Sequence, residues 1–127
     1  MRRTGFLVGI AMLVLGFGVS LCAGQPSPSP EVPVKDTVTM VDVGADKCIP
    51  CKMMAPILKE LEVEYRGKAA ILFVDVWKNP ERRKEFNIRA IPTQVFYDKA
   101  GKEVSRHEGF LDKDKIVETL EKLGVTK

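Results

Sequence analysis

The sequence predicts an α/β sandwich built around a mixed sheet, and three observations carry that prediction. Two continuous apolar, β-branched runs, Val38–Val43 and Ala69–Val76, have the length of buried strands. A stretch of helical periodicity joins them, which makes the pair a parallel strand–helix–strand unit with its helix over the sheet. Further on, Asp98-Lys99-Ala100-Gly101 separates two short extended runs and signals a hairpin that adds an antiparallel edge.

The elements follow in chain order. Val38–Val43 is apolar except for Thr39 and Asp42, and Gly44 closes it. From Pro50 to about Tyr65, apolar residues recur at Met53, Met54, Ile57, Leu58, Leu61 and Tyr65, one face of a helix. Met53 and Met54 are therefore expected in the core and on the helix face. Pro56 falls inside this helix, where it removes one backbone hydrogen bond and is expected to kink it. Ala69–Val76 is the second strand, and Trp77 at its end is expected to pack. Asn79-Pro80-Glu81 starts a short helix, with Asn79 as N-cap and Pro80 in the first helical position, ending near Phe86-Asn87. Thr93–Tyr97 and Glu103–His107 are the hairpin strands, with His107 expected to be exposed. Asp112 caps a last helix whose face is Ile116, Val117, Leu120 and Leu123, and Gly124 ends it.

Ahead of this domain the composition changes twice. Met1-Arg2-Arg3 is basic, and the run from Gly5 to about Ala23 is apolar and uncharged, the pattern of an export signal. It is also about the length, roughly 19 residues, that spans a bilayer when left uncleaved. Residues 1–24 are read as an export signal or membrane anchor. Val19-Ser20-Leu21-Cys22 resembles a lipoprotein signal ending in an acylated cysteine, with Leu21 bulkier than usual; cleavage after Gly24 is the other option. Gln25–Val34, QPSPSPEVPV, holds four prolines and reads as an extended, semi-rigid spacer. Residues 35–127 are then one small domain. Without residues 1–23, 18 basic and 17 acidic residues remain, and this near-neutral balance gives no footprint for nucleic acid.

The chemistry centres on DKCIPCKMMAP, Asp46–Pro56. A structural zinc site needs about four Cys or His ligands. Beyond Cys48 and Cys51 the domain offers only His107, so a zinc site would need ligands shared across a dimer. Haem attachment of the c type needs His after the second cysteine, where Lys52 stands. A purely structural Cys48–Cys51 disulfide would close too short a loop to add much stability. Thiol–disulfide exchange is the strongest reading of the pair. Pro50 fits a first helical turn, which puts Cys48 near the N-cap, where free amides and the helix dipole favour a thiolate. Lys47 and Lys52 add positive charge nearby. Cys51, one turn in, is expected to be more buried and to act second.

Cys48-Ile49-Pro50-Cys51-Lys52, Pro56 five residues after the second cysteine, Ile88-Arg89-Ala90-Ile91-Pro92-Thr93 and Gly109 together resemble the thioredoxin family, over roughly Val38–Leu123. The resemblance implies a thioredoxin-like three-layer sandwich, with the first strand and helix of the full fold shortened or absent. It implies a redox-active Cys48–Cys51 disulfide, Cys48 as nucleophile and Cys51 as resolving thiol. It also implies a cis Pro92 lying against the pair, so that Ile49, Pro50, Ile91, Pro92 and Lys47 meet the substrate. Asp42 precedes Cys48 by six residues, as does the buried carboxylate that moves protons for the inner cysteine of thioredoxins. The lysine that often partners that carboxylate is replaced by Ile71. Lys47 stands where tryptophan is usual and Ile49 where glycine is usual, so the rim is expected to be more basic and more apolar.

The resulting expectation is an exported, periplasmic or membrane-tethered protein-disulfide reductase. It would act on disulfides of exported proteins and draw electrons from a membrane thiol-transporting donor, with no cofactor and no metal. Pro50 before the second cysteine resembles reducing thioredoxins more than their oxidising relatives. Two alternatives stand beside it: a narrower role in cytochrome c maturation, and a binding module on the same fold with a structural disulfide.

Overall fold

The computed structural model describes residues 29–127. The expected export segment (1–24), Cys22 within it and the start of the proline-rich stretch (25–28) lie outside the described residues. Elements run in the order β1 (Thr39–Gly44), α1 (Ile49–Glu64), β2 (Ala70–Asp75), α2 (Pro80–Glu85), β3 (Thr93–Tyr97), β4 (Glu103–Glu108) and α3 (Lys113–Lys122). This is the expected order, and element ends agree to within a residue or two. Among the described residues no strand or helix precedes β1, and no helix is long and apolar enough to cross a membrane.

The sheet has strand order β2-β1-β3-β4. β1 and β2 are parallel, while β3 runs antiparallel to both β1 and β4, so the sheet is mixed. Alternation along β1 sorts its side chains onto two faces. Val38 and Met40 join Met54, Leu58, Leu61, Tyr65, Ile116 and Leu120 on the side covered by α1 and α3. Val41 and Val43 join Val74, Val95, Phe86 and Ile88 on the other side, next to α2. Both clusters are needed because the sheet is apolar on both faces. Each fully buried aliphatic side chain contributes about 1.5–3 kcal/mol relative to exposure.

α1 begins with Pro50 in its first turn and runs unbroken to Glu64 with Pro56 inside it. Pro56 lacks the N–H that would bond the Lys52 carbonyl. Both residues are exposed, so water can satisfy that carbonyl. Four expectations need correction. Met53 is 54% exposed while Met54 is fully buried, because the buried stripe of α1 runs through Cys51, Met54, Leu58 and Leu61 and leaves Met53 to one side. Trp77, expected to pack, is 54% exposed just beyond β2. Asn79 and Asp112 occupy the N-cap positions of α2 and α3 without a side-chain capping bond; the Asn79 amide instead donates to the Asp75 carbonyl. The described end of the proline-rich stretch also lies along the domain. Val32 packs against the α2-side cluster, the Arg82 guanidinium donates to the Pro30 carbonyl, and the Val34 N–H donates to Thr39 Oγ1.

Candidate functional site

The strand-to-helix turn that leaves β1 carries the site. The Cys48 N–H donates to the Ala45 carbonyl, and Cys48 takes the N-cap position of α1 in an extended conformation (φ −76°, ψ 124°). Its carbonyl already accepts the first helical bond, from Lys52 N–H at 3.0 Å. The Cys51 N–H points at Cys48 Sγ, 3.4 Å away, so the sulfur accepts one of the amides that a helix start leaves free. Cys48 and Cys51 are joined by a disulfide across Cα atoms 5.2 Å apart. Cys48 is half-buried, whereas Cys51 is 4% exposed beneath it.

Around the pair, Lys47 and Pro50 are exposed and Ile49 is 74% exposed, so an apolar and a basic side chain flank the accessible sulfur. Gly44 supports the inner sulfur. A Cβ there would stand 3.1 Å from Cys51 Sγ and 3.2 Å from the Phe73 ring, so a side chain at this position would displace one of them. Beside Cys51, between α1 and β2, lies a cavity of about 260 Å³ lined by Ala45, Ala55, Leu58, Ile71 and Phe73 among others.

Asp75 ties the turn to the sheet. It is buried at the end of β2, and its carboxylate accepts from the N–H groups of Asp46, Trp77 and Lys78. Burial alone would raise its pKa, but those donated bonds hold it below the ordinary carboxylate value. Lys78 in turn pairs with Asp46 at the surface.

The Ile91–Pro92 bond is cis. Thr93 pairs with Val43, so the antiparallel register puts Pro92 level with Gly44, at the end of the sheet that carries the cysteines. The Gly109 N–H donates to the Pro92 carbonyl at 2.7 Å from a backbone with φ +97°, which glycine adopts without strain. Ile91 is half-buried against the α2-side cluster.

Asp42 lies on the α1 face, two residues before Gly44, and is fully buried. Its register neighbours are Phe73 on β2 and Gln94 on β3. Gln94, also fully buried, donates from Nε2 to Asp42 Oδ1 at 2.7 Å. Asp42 Oδ2 and Gln94 Oε1 are buried without partners. Burial pushes the Asp42 pKa up from 3.8 to about 6, against the hydrogen bond from Gln94, which lowers it. Ile71 is buried on the same face and supplies no cation. His107 is exposed on β4, as expected, with Nε2 3.1 Å from the Phe110 carbonyl.

The fold thus brings Cys48, Cys51, Gly44, Asp42 and Pro92 to one end of the sheet, with Lys47, Ile49 and Pro50 at the rim. The sequence reading missed Gln94, Gly44 and Asp75. Gln94 carried a signal, a lone amide in the apolar strand TQVFY, as did Asp75 at the end of AILFVD. Gly44 carried none beyond closing a strand.

Comparison with known proteins agrees with this geometry. The family model described as Thioredoxin matches residues 29–122. The thioredoxins of Staphylococcus aureus strains Mu50 / ATCC 700699 and MW2 are each 42% identical over 89 residues, covering 70% of this chain and 85% of theirs. The crystal structure of chloroplastic thioredoxin z superposes with a TM-score of 0.64 at 34% identity, over 70% of this chain and 80% of that one.

Proposed function

Because the chain belongs to the thioredoxin family and is a thiol–disulfide oxidoreductase with a Cys48–Cys51 pair, we propose that it works as a reductase of protein disulfides outside the cytoplasm. The observation that carries the direction of attack is the asymmetry of the pair. Cys48 is the accessible sulfur and sits on the free amide of Cys51, while Cys51 is buried. The helix N-terminus stabilises a thiolate at Cys48. That thiolate attacks one sulfur of a substrate disulfide, forming a mixed disulfide and releasing the other as a thiolate that takes a proton from water. Cys51 then attacks Cys48 Sγ. The intramolecular disulfide forms, the second substrate thiolate leaves and is protonated, and the substrate has gained two electrons and two protons.

Asp42 takes the proton that Cys51 loses. Asp42 stands two strand positions, about 6.6 Å, before Gly44, whose position packs against Cys51 Sγ, and a water between the two side chains would carry the proton. A carboxyl titrating near 6 is largely ionised at neutral pH and able to accept that proton. Ile49, Pro50, Ile91, Pro92 and Lys47 form the substrate rim, with Ile49 favouring an apolar residue beside the substrate cysteine.

Export rests on residues 1–24, whose basic start and apolar run match a secretory signal or anchor. Outside the cytoplasm the pair needs a continuous supply of electrons to stay reduced, which a membrane thiol-transporting donor would provide. The test is a pair of variants in the full chain. Cys48→Ser should abolish reduction of a model disulfide substrate, and Cys51→Ser should accumulate mixed disulfides with exported proteins. Trapping by Cys48→Ser instead would reverse the roles. Trapped partners confined to the cytoplasm would overturn the compartment. Mass spectrometry of the mature N-terminus would establish the fate of Cys22.

A further inference from the structure

Phe73, Asp42, Gln94 and His107 form a row across the four strands on the face covered by α1 and α3. Within that row a side-chain hydrogen bond joins two of the strands, from Gln94 Nε2 to Asp42 Oδ1. Two further polar atoms of the same two side chains, Asp42 Oδ2 and Gln94 Oε1, are buried and unpaired. An amide and a carboxyl have matching shapes: the amide offers one donor and one acceptor, and so does a protonated carboxyl. The unpaired atoms are the acceptor and the oxygen that would complete such a double bond if Oδ2 carried a proton.

We propose that Gln94 is the positioning residue that lets Asp42 both hold and release a proton, its Nε2 anchoring the ionised carboxylate and its Oε1 receiving the Oδ2–H of the neutral acid. The proposal rests on the role given above to Asp42 in the resolving step. In that step the Cys51 thiol proton passes to Asp42 Oδ2 as the Cys48–Cys51 bond forms, and Asp42 later returns it to solvent. Each protonation state then has a hydrogen-bonded partner within the sheet. A buried carboxyl without such a partner is pushed further towards its neutral form by desolvation.

Other charged and titratable groups around Asp42 do not take over this task. On β2 the neighbours are Phe73 and Ile71, and Asp75 on the same face is engaged with three backbone N–H groups. On β3, Phe96 follows Gln94 on this face, and on β4 His107 is exposed with its ring nitrogen at the Phe110 carbonyl. α3 presents Ile116 and Leu120. α1 presents Cys51, with Lys52, Lys59 and Glu62 only around the neighbouring cavity. Burial and Gln94 are accordingly the two influences on the Asp42 carboxyl.

The experiment is an NMR titration of the Asp42 side-chain carboxyl carbon in the oxidised full chain, in the natural sequence and in Gln94→Leu, with circular dichroism as the check on folding. The natural protein should titrate near 6. In Gln94→Leu the ionised carboxyl loses its charge-assisted bond from Nε2 and faces an apolar wall, which together outweigh the neutral bond to Oε1 lost by the acid, so the midpoint should rise by about one pH unit. In single-turnover measurements, the acid limb of mixed-disulfide resolution should move upward by the same amount, with the rate recovered at higher pH. A merely structural Gln94 would lower the rate equally at all pH values. An unchanged or lowered midpoint in a folded variant overturns the proposal. Should Gln94→Leu fail to fold, Gln94→Met keeps the chain length and an apolar end and takes its place. One readout needs no substitution: the Gln94 side-chain amide resonances of the natural protein should titrate with the Asp42 midpoint, and amide resonances that stay still refute the pairing. A coupled titration together with unaffected resolution in Asp42→Asn would overturn the base role of Asp42 and leave its pairing with Gln94 supported.

Discussion

Replacing Asp42 with Asn should stabilise the oxidised protein at neutral pH and barely change it at pH 4. Asp42 is fully buried, and its carboxyl titrates near 6 in the folded chain against 3.8 ordinarily. Between those values the folded state holds a proton that the unfolded chain has released. Stability of the natural protein therefore falls as pH rises from about 4 to about 6, and the loss is constant above that. At about 1.36 kcal/mol per pH unit, a window of roughly two units amounts to about 3 kcal/mol. Asn carries no charge, so it escapes this cost. Its amide can still accept from Gln94 Nε2 while donating to Gln94 Oε1, which pairs both buried atoms that Asp42 leaves unmatched. Urea denaturation at pH 4, 6 and 8 reads the effect directly. The gain should grow from near zero at pH 4 to about 3 kcal/mol at pH 8, equivalent to a rise in Tm on the order of 10 °C. A gain independent of pH, or a loss at pH 8, would refute the reasoning, because either would mean that Asp42 is not held as a costly buried charge.

Three further outcomes follow from the packing. Asp75→Ala should cost about 2–4 kcal/mol at neutral pH by leaving the Asp46, Trp77 and Lys78 N–H groups without their acceptor. The contribution of Asp75 is present above the ordinary carboxylate pKa and disappears as pH falls through its lowered value, so denaturation of the two proteins should converge in acid. Gly44→Ala should cost about 1–3 kcal/mol, since its methyl would stand 3.1 Å from Cys51 Sγ; thermal melts of the oxidised form that match the natural protein would contradict this. Met54→Ala should cost about 2–5 kcal/mol and Met53→Ala under about 0.5 kcal/mol in denaturant titrations, and comparable losses would place the buried stripe of α1 wrongly.

Much of this protein could be read along the chain because its signals are local. Strand length, helical periodicity, Pro50 after Cys48, and the Asp98–Gly101 turn depend on neighbours a few residues away, and all four appear in the structure where the chain implied them. The accessible Cys48 and buried Cys51 were likewise legible, since one helical turn separates them. Met53 and Trp77 were not. Periodicity accommodates either methionine on the apolar stripe, and which one is buried depends on how α1 rotates against β1 and β2. Trp77 reads as a packing residue by its size, but the turn held by Asp75 carries it outward.

By itself the sequence determined the redox pair, its place at a helix start and the family pattern around it, because these are matters of spacing within one segment. Only the tertiary structure decided what stands beneath the pair. Gln94 is 52 residues from Asp42 and meets it because β3 runs antiparallel to β1 in one particular register; a slip of one residue would send the amide to the opposite face. Gly44 and Cys51, and Asp75 and Asp46, are likewise joined by packing across elements. Burial is a property of the assembled sheet and helices, and it is burial that moves the Asp42 carboxyl, which the family pattern marked out only by its spacing from Cys48, to a midpoint near neutrality.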